Sequence, residues 1–139
     1  MKYLLRNQSP QSTKWKLIAL TFVLAFICLV ISADTGRMPG SLKAVYDFPG
    51  GDKVGHVVIY GALAFVLTAG FAQSIRIGRK TLPLAVLVLI AVTVAEEFSQ
   101  SLFSARTFVL LDLACSLAGI ALGVFIANRI FGKSKAPVS

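Results

Sequence analysis

Three short polar groups interrupt an otherwise apolar chain: Asp52-Lys53-x-x-His56 with Tyr60 one turn further on, Glu96-Glu97-x-x-Gln100, and Arg106 followed by Asp112. Their residue types suit proton transfer and the recognition of a charged group. His56, Glu97 and Asp112 are the candidate catalytic groups, because each can take up or release a proton near neutral pH once its surroundings are tuned. Lys53 and Arg106 suit an anionic headgroup, and Asp52 and Gln100 add hydrogen-bonding capacity to the candidate ligand-binding set. The competing reading of the same residues is an ion-pair and amide network that only ties helix ends together, which is how buried charges survive.

Spacing gives these groups their expected neighbours. Positions 52, 56 and 60 fall on one helical stripe, so Asp52, His56 and Tyr60 share a face, with Tyr60 read as an interface or packing aromatic. Glu97 and Gln100 are three apart and therefore adjacent, while Glu96 is rotated by about 100° and reads as an interfacial charge reaching the headgroups.

The elements that must position them are membrane helices. The chain has 139 residues, of which 56% are hydrophobic and 14% charged, with a mean hydropathy of +0.78. Those values lie outside the range of soluble globules. Four apolar segments, about 17–33, 54–72, 82–100 and 109–127, are each long enough to approach a bilayer's thickness. The expected fold class is therefore all-α, a polytopic four-helix membrane bundle forming one domain over 1–139. The first segment reads as a retained helix, although its basic start and Ile31-Ser32-Ala33 also loosely fit a cleaved signal peptide. Residues 34–53, rich in Gly, Pro and charge, read as the longest loop, 73–80 as a short basic turn, and Ser101 to Thr107 as a tight connection.

Charge placement orients the bundle. Ten of the fourteen Lys and Arg residues lie in the first sixteen residues, in the 73–80 turn and in the C-terminal tail, and none of the six acids does. The positive-inside rule then puts both termini in the cytoplasm and the acidic side outward. The net charge of +8 needs no nucleic acid, since the basic residues form no stripe and no aromatic-basic motif accompanies them. Cys28 and Cys115 read as small buried residues, and one His without clustered Cys leaves too few ligands for a metal, so no metal and no cofactor is expected. Gly119 and Gly123 form a small-x-x-x-small pair that favours packing within the bundle over homodimerisation, although oligomerisation stays open.

Taken in order, Asp52-Lys53-x-x-His56, Glu97-x-x-Gln100, Arg106, Asp112 and Gly119 resemble the pattern of the VanZ-like family of small bacterial membrane proteins, over roughly residues 50 to 123. That family usually carries Asn four residues after the last Asp; here the position is Ser116, which joins the candidate ligand-binding residues on the strength of the resemblance. The resemblance implies a multi-pass protein of the bacterial cytoplasmic membrane and cell envelope, in a family associated with resistance to a glycopeptide antibiotic. The expected function is recognition or modification of a lipid-linked or glycopeptide-type ligand in an outward polar pocket, with membrane lipids as partners. The alternative is a non-catalytic scaffold or accessory subunit.

Overall fold

The computed structural model describes residues 6–7, 13–71, 73–77, 80–102 and 109–131. Five α-helices dominate: α1 (Thr13–Asp34), α2 (Gly40–Tyr46), α3 (Gly51–Gly70), α4 (Leu84–Ser99) and α5 (Leu110–Phe131). Among the described residues α1, α3 and α5 are long and apolar enough to cross a membrane, by length and composition. Their outward faces fit that role. Leu17, Leu20, Leu24 and Ile31 on α1 and Leu110, Leu122, Phe125 and Ile130 on α5 are all exposed, an apolar surface far beyond what a protein in water presents.

α3 is the central helix, and its position follows from glycine. A Cβ at Gly119 would fall well inside van der Waals contact distance of the Val57 backbone oxygen, and one at Gly123 well inside that of the Gly61 oxygen. Only Gly lets α3 and α5 come this close, and among the described residues they form the most extensive helix pair. The pair expected at Gly119 and Gly123 is thus used within the bundle. On the other side of α3, a Cβ at Gly70 would lie 2.9 Å from the Trp15 carbonyl oxygen, so α1 packs closely at that end, where Ala19 is fully buried. Trp15 stands edge-on to Phe65 at 6.1 Å and to Phe131 at 5.2 Å, joining α1, α3 and α5 at one end.

The fold departs from the sequence reading in its longest loop, its basic turn, its third apolar segment and the burial of its cysteines. Residues 34–53 are not all loop, because Gly40–Tyr46 forms α2; Pro39 stands just before its first turn, where a missing N–H costs nothing, and its carbonyl accepts from the amides of Leu42 and Lys43. The basic turn at 73–80 is largely strand: β2 (Gln73–Ile77) and β3 (Lys80–Pro83) pair antiparallel, and β1 (Arg6–Asn7) adds to the other edge of β2. The helix expected from 82 therefore starts at Leu84, after Pro83. At 16 residues, α4 is about 24 Å long, shorter than a hydrocarbon core of about 30 Å. Finally, Cys28 is exposed on α1 and Cys115 half-buried on α5, both free thiols; neither is the buried residue expected, α1 being largely exposed along its length.

Candidate functional site

The polar residues gather at one end of the bundle, where α1 ends, α3 begins and α4 ends. α3 opens after Gly50, whose φ of 81° is left-handed and suits a residue without a Cβ. Its first turn carries Asp52, a favourable place for a negative charge. From there the stripe Asp52, His56, Tyr60 descends by about 6 Å per step.

Two sets of contacts radiate from this stripe. The first faces α5 and the inner side of α4. Lys53 Nζ lies 2.6 Å from Asp52 Oδ2 and 3.1 Å from Asp112 Oδ1, so it ties the start of α3 to the start of α5. His56 Nδ1 is 2.8 Å from Ser116 Oγ and 3.5 Å from Glu97 Oε1. Ser116 in turn donates its hydroxyl to the Asp112 carbonyl at 3.0 Å. A hydroxyl has one proton to give, so at Ser116 the imidazole is the donor. The network thus assigns Nδ1–H to His56, leaving the lone pair of the neutral ring on its other nitrogen. Glu97, Ser116 and Gln100 are essentially inaccessible and Asp112 is buried.

A Ser, a His and a Glu meeting here invite comparison with a nucleophilic triad, and the geometry argues against it. In a triad the base uses one nitrogen for the nucleophile and the other for the carboxylate. Here Ser116 and Glu97 both face Nδ1, and Ser116 is fully buried. These contacts hold the ring in place. Replacing Lys53 with Met and Asp112 with Asn, singly and together, is expected to give a double variant that melts above the additive value, since the two groups act as a pair. Strict additivity in thermal melts would mean that the pair contributes nothing.

The second set faces the opposite side. Tyr60 donates to Glu96 Oε2 at 3.0 Å, and Gln100 Nε2 donates to Glu96 Oε1 at 2.9 Å. Glu96 is therefore not the headgroup charge expected from its 100° offset. It is half-buried, one turn before Gln100, and bridged across to α3. Tyr60 is buried, packed edge-on against Phe26 and hydrogen-bonded, which is the packing role of the two expected for it.

Between α1, α2, α3 and α4 this side encloses a cleft of about 340 Å³, within the range of small-molecule sites. Its polar wall is the column Asp52, His56, Tyr60 and Glu96; its apolar wall is Phe26, Leu29, Val30 and Ala33 of α1. The half-buried Met38 and the exposed Lys43 complete the lining. His56 belongs to both sets, since it lines the cleft while its Nδ1 is fixed on Ser116.

Of the residues singled out from sequence, the cleft therefore gathers Asp52 and His56. Lys53, Glu97, Gln100, Asp112 and Ser116 sit behind them in the helix interfaces and are not part of its lining. Arg106, with most of the expected connection from Ser101 to Thr107, lies outside the described residues. Glu96, Tyr60 and Lys43 are the cleft residues that sequence reasoning passed over. The available signals were the i, i+4 relation of Glu96 to Gln100 and the place of Tyr60 on the Asp52–His56 stripe. Among the described residues no group of three or more His, Cys, Asp or Glu could hold a metal ion. No family model, curated protein or solved structure matches this chain.

Proposed function

We propose that this chain is a four-span cell-envelope protein of the VanZ-like kind, whose cleft recognises an amphiphilic ligand, lipid-linked or of glycopeptide type. The carrying observation is the cleft, with hydrogen-bonding groups on one wall and hydrocarbon on the other. Such a site matches a ligand that has both characters. α4 serves as the fourth span when continued through the 3-10 turn Gln100–Leu102, which brings it to about 30 Å. The Lys and Arg distribution favours cytoplasmic termini in a bacterial inner membrane, with the cleft opening outward. Recognition is favoured over covalent chemistry, because the buried Ser116 and the shared Nδ1 contacts position His56 rather than arm a nucleophile.

A second reading has its own support. Five of the eight residues chosen from sequence lie in helix interfaces, as a scaffold or accessory subunit would use them. The two readings separate on Ala33→Trp, which fills the cleft from α1 without touching the interface network. With a photoactivatable amphiphile and the protein in bilayer nanodiscs, cross-links are expected at Phe26 and Ile59, both cleft residues. The variant should lose them at an unchanged melting temperature. Cross-links that never map to the cleft, or that persist in Ala33→Trp, would leave the scaffold reading standing.

A further inference from the structure

The groups that line the cleft define the charge of the head it takes. Two carboxyl groups, the exposed Asp52, which is paired with Lys53, and the half-buried Glu96, line the same space, with the exposed Lys43 as the cation of the lining. Phe26 and Tyr60, both lining residues, meet edge to face with centroids 5.2 Å apart, and the His56 ring stacks on Tyr60 with an interplanar angle of 7°. Aromatic faces next to carboxyl groups are the chemistry that receives an ammonium ion, by cation–π attraction and charge-assisted hydrogen bonds. A basic group in the lining suits a phosphate, and the α1 wall suits an acyl chain.

We infer that the cleft is a headgroup site for a zwitterionic phospholipid, with the ammonium held between Glu96, Tyr60 and Phe26, the phosphate at Lys43, and the first part of an acyl chain along Leu29 and Val30. This rests on the proposed amphiphile site and narrows its ligand class. The source is the bilayer rather than a soluble phosphoamine. α1, which forms the apolar wall, is exposed along most of its length, so the cleft borders the lipid phase, and a small water-soluble ligand would gain nothing from four hydrocarbon side chains.

The head's charge order follows from the same arrangement. A phosphoglycerol lipid offers the phosphate without the ammonium and leaves Glu96 without its cation, while Asp52 keeps Lys53. A phosphocholine lipid keeps the cation but lacks N–H donors, so it uses the rings alone.

The test is displacement of a fluorescent phosphoethanolamine lipid from the full-length protein in detergent micelles, by phosphoethanolamine, phosphocholine and phosphoglycerol lipids of identical chains, and by free phosphoethanolamine. The phosphoethanolamine lipid is expected to bind at least about tenfold more tightly than the phosphoglycerol lipid, the effect of one charged hydrogen-bond partner. Glu96→Gln, close in size, should remove most of that preference. Asp52→Asn, at a side chain that is 54% exposed, where a surface pair contributes little to the fold, should reduce it by a smaller factor. Lys43→Ala should weaken both lipids alike. A phosphocholine lipid that competes within a few-fold of phosphoethanolamine supports the ammonium site and assigns it to the rings. Equal or tighter binding of the phosphoglycerol lipid, or a preference unchanged in both carboxyl variants, overturns the headgroup assignment and leaves the amphiphile cleft intact. Free phosphoethanolamine binding as tightly as the lipid overturns the bilayer source. Absence of displacement by any lipid overturns this inference, while the amphiphile cleft stands or falls on its own cross-linking test.

Discussion

Gly123→Ala is expected to be the most damaging single methyl group that can be added to this protein. The new carbon would be driven into the Gly61 carbonyl and would also stand 3.1 Å from the Phe65 amide nitrogen. Both are backbone atoms, which cannot rotate aside, so α3 and α5 must separate along their whole contact. Overpacking of this kind costs about 1–3 kcal/mol in ordinary cores, where flexible side chains share the strain. Here the upper end of that range or beyond is expected, because backbone meets backbone. Gly119→Ala should behave alike, since it meets Val57 on the same seam. The control is Gly40→Ala, where an added carbon meets nothing within 4 Å. Thermal melting in detergent should place Gly40→Ala at or above the parent and both seam variants well below it. A Gly123→Ala variant that melts with the parent would show that the two helices are not held at this distance.

Glu97→Ala and Glu96→Gln, adjacent in sequence, are expected to fail in different ways. Glu97 is fully buried, 3.5 Å from the His56 imidazole. Its truncation opens a void between α3 and α4 and removes a group that holds the ring, so a loss on the order of 3 kcal/mol is expected. Glu96 lines the cleft and is bridged to Tyr60 and Gln100. An amide there keeps the volume and one acceptor, so Glu96→Gln should melt close to the parent while ligand affinity falls. The measurement is a pair of melting curves beside a pair of binding curves. If Glu97→Ala melted normally and lost only binding, or Glu96→Gln unfolded, the division into an interface lock and a ligand cleft would be wrong.

That division also marks what the sequence could and could not convey. Uncharged apolar length identified α1, α3 and α5, because a bilayer selects for hydrophobic length and little else. The stripe Asp52, His56, Tyr60 was legible because a fixed 3.6-residue period needs no tertiary information. The hairpin at 73–83 was missed for a specific reason. Ser74-Ile75-Arg76-Ile77 alternates polar and apolar as a strand should, but four residues sit at the lower limit for that signal and the basic charge beside them equally fits a turn. Glu96 was misplaced because helical angles order the residues around one helix but do not say which neighbours surround it. With α3 on one flank of α4 and the cleft on the other, residues 100° apart both point inward. The cleft's apolar wall was not legible at all: Phe26 and Ala33 resemble every other lipid-facing residue of α1 until the fold sets them opposite His56 and Tyr60.

The uneven burial of the helices sets how freely each part of this sequence can drift. α1 fully buries only Ala19 among its 22 residues, so most of its positions are judged by lipid, a solvent that distinguishes apolar side chains poorly. Leu, Ile, Val and Phe should exchange there at little cost. Gly70, Gly119 and Gly123 admit no alternative residue without moving a helix. A saturation scan of the chain should therefore be nearly flat along the lipid face of α1 and fall to sharp minima at three glycines that carry no functional group at all.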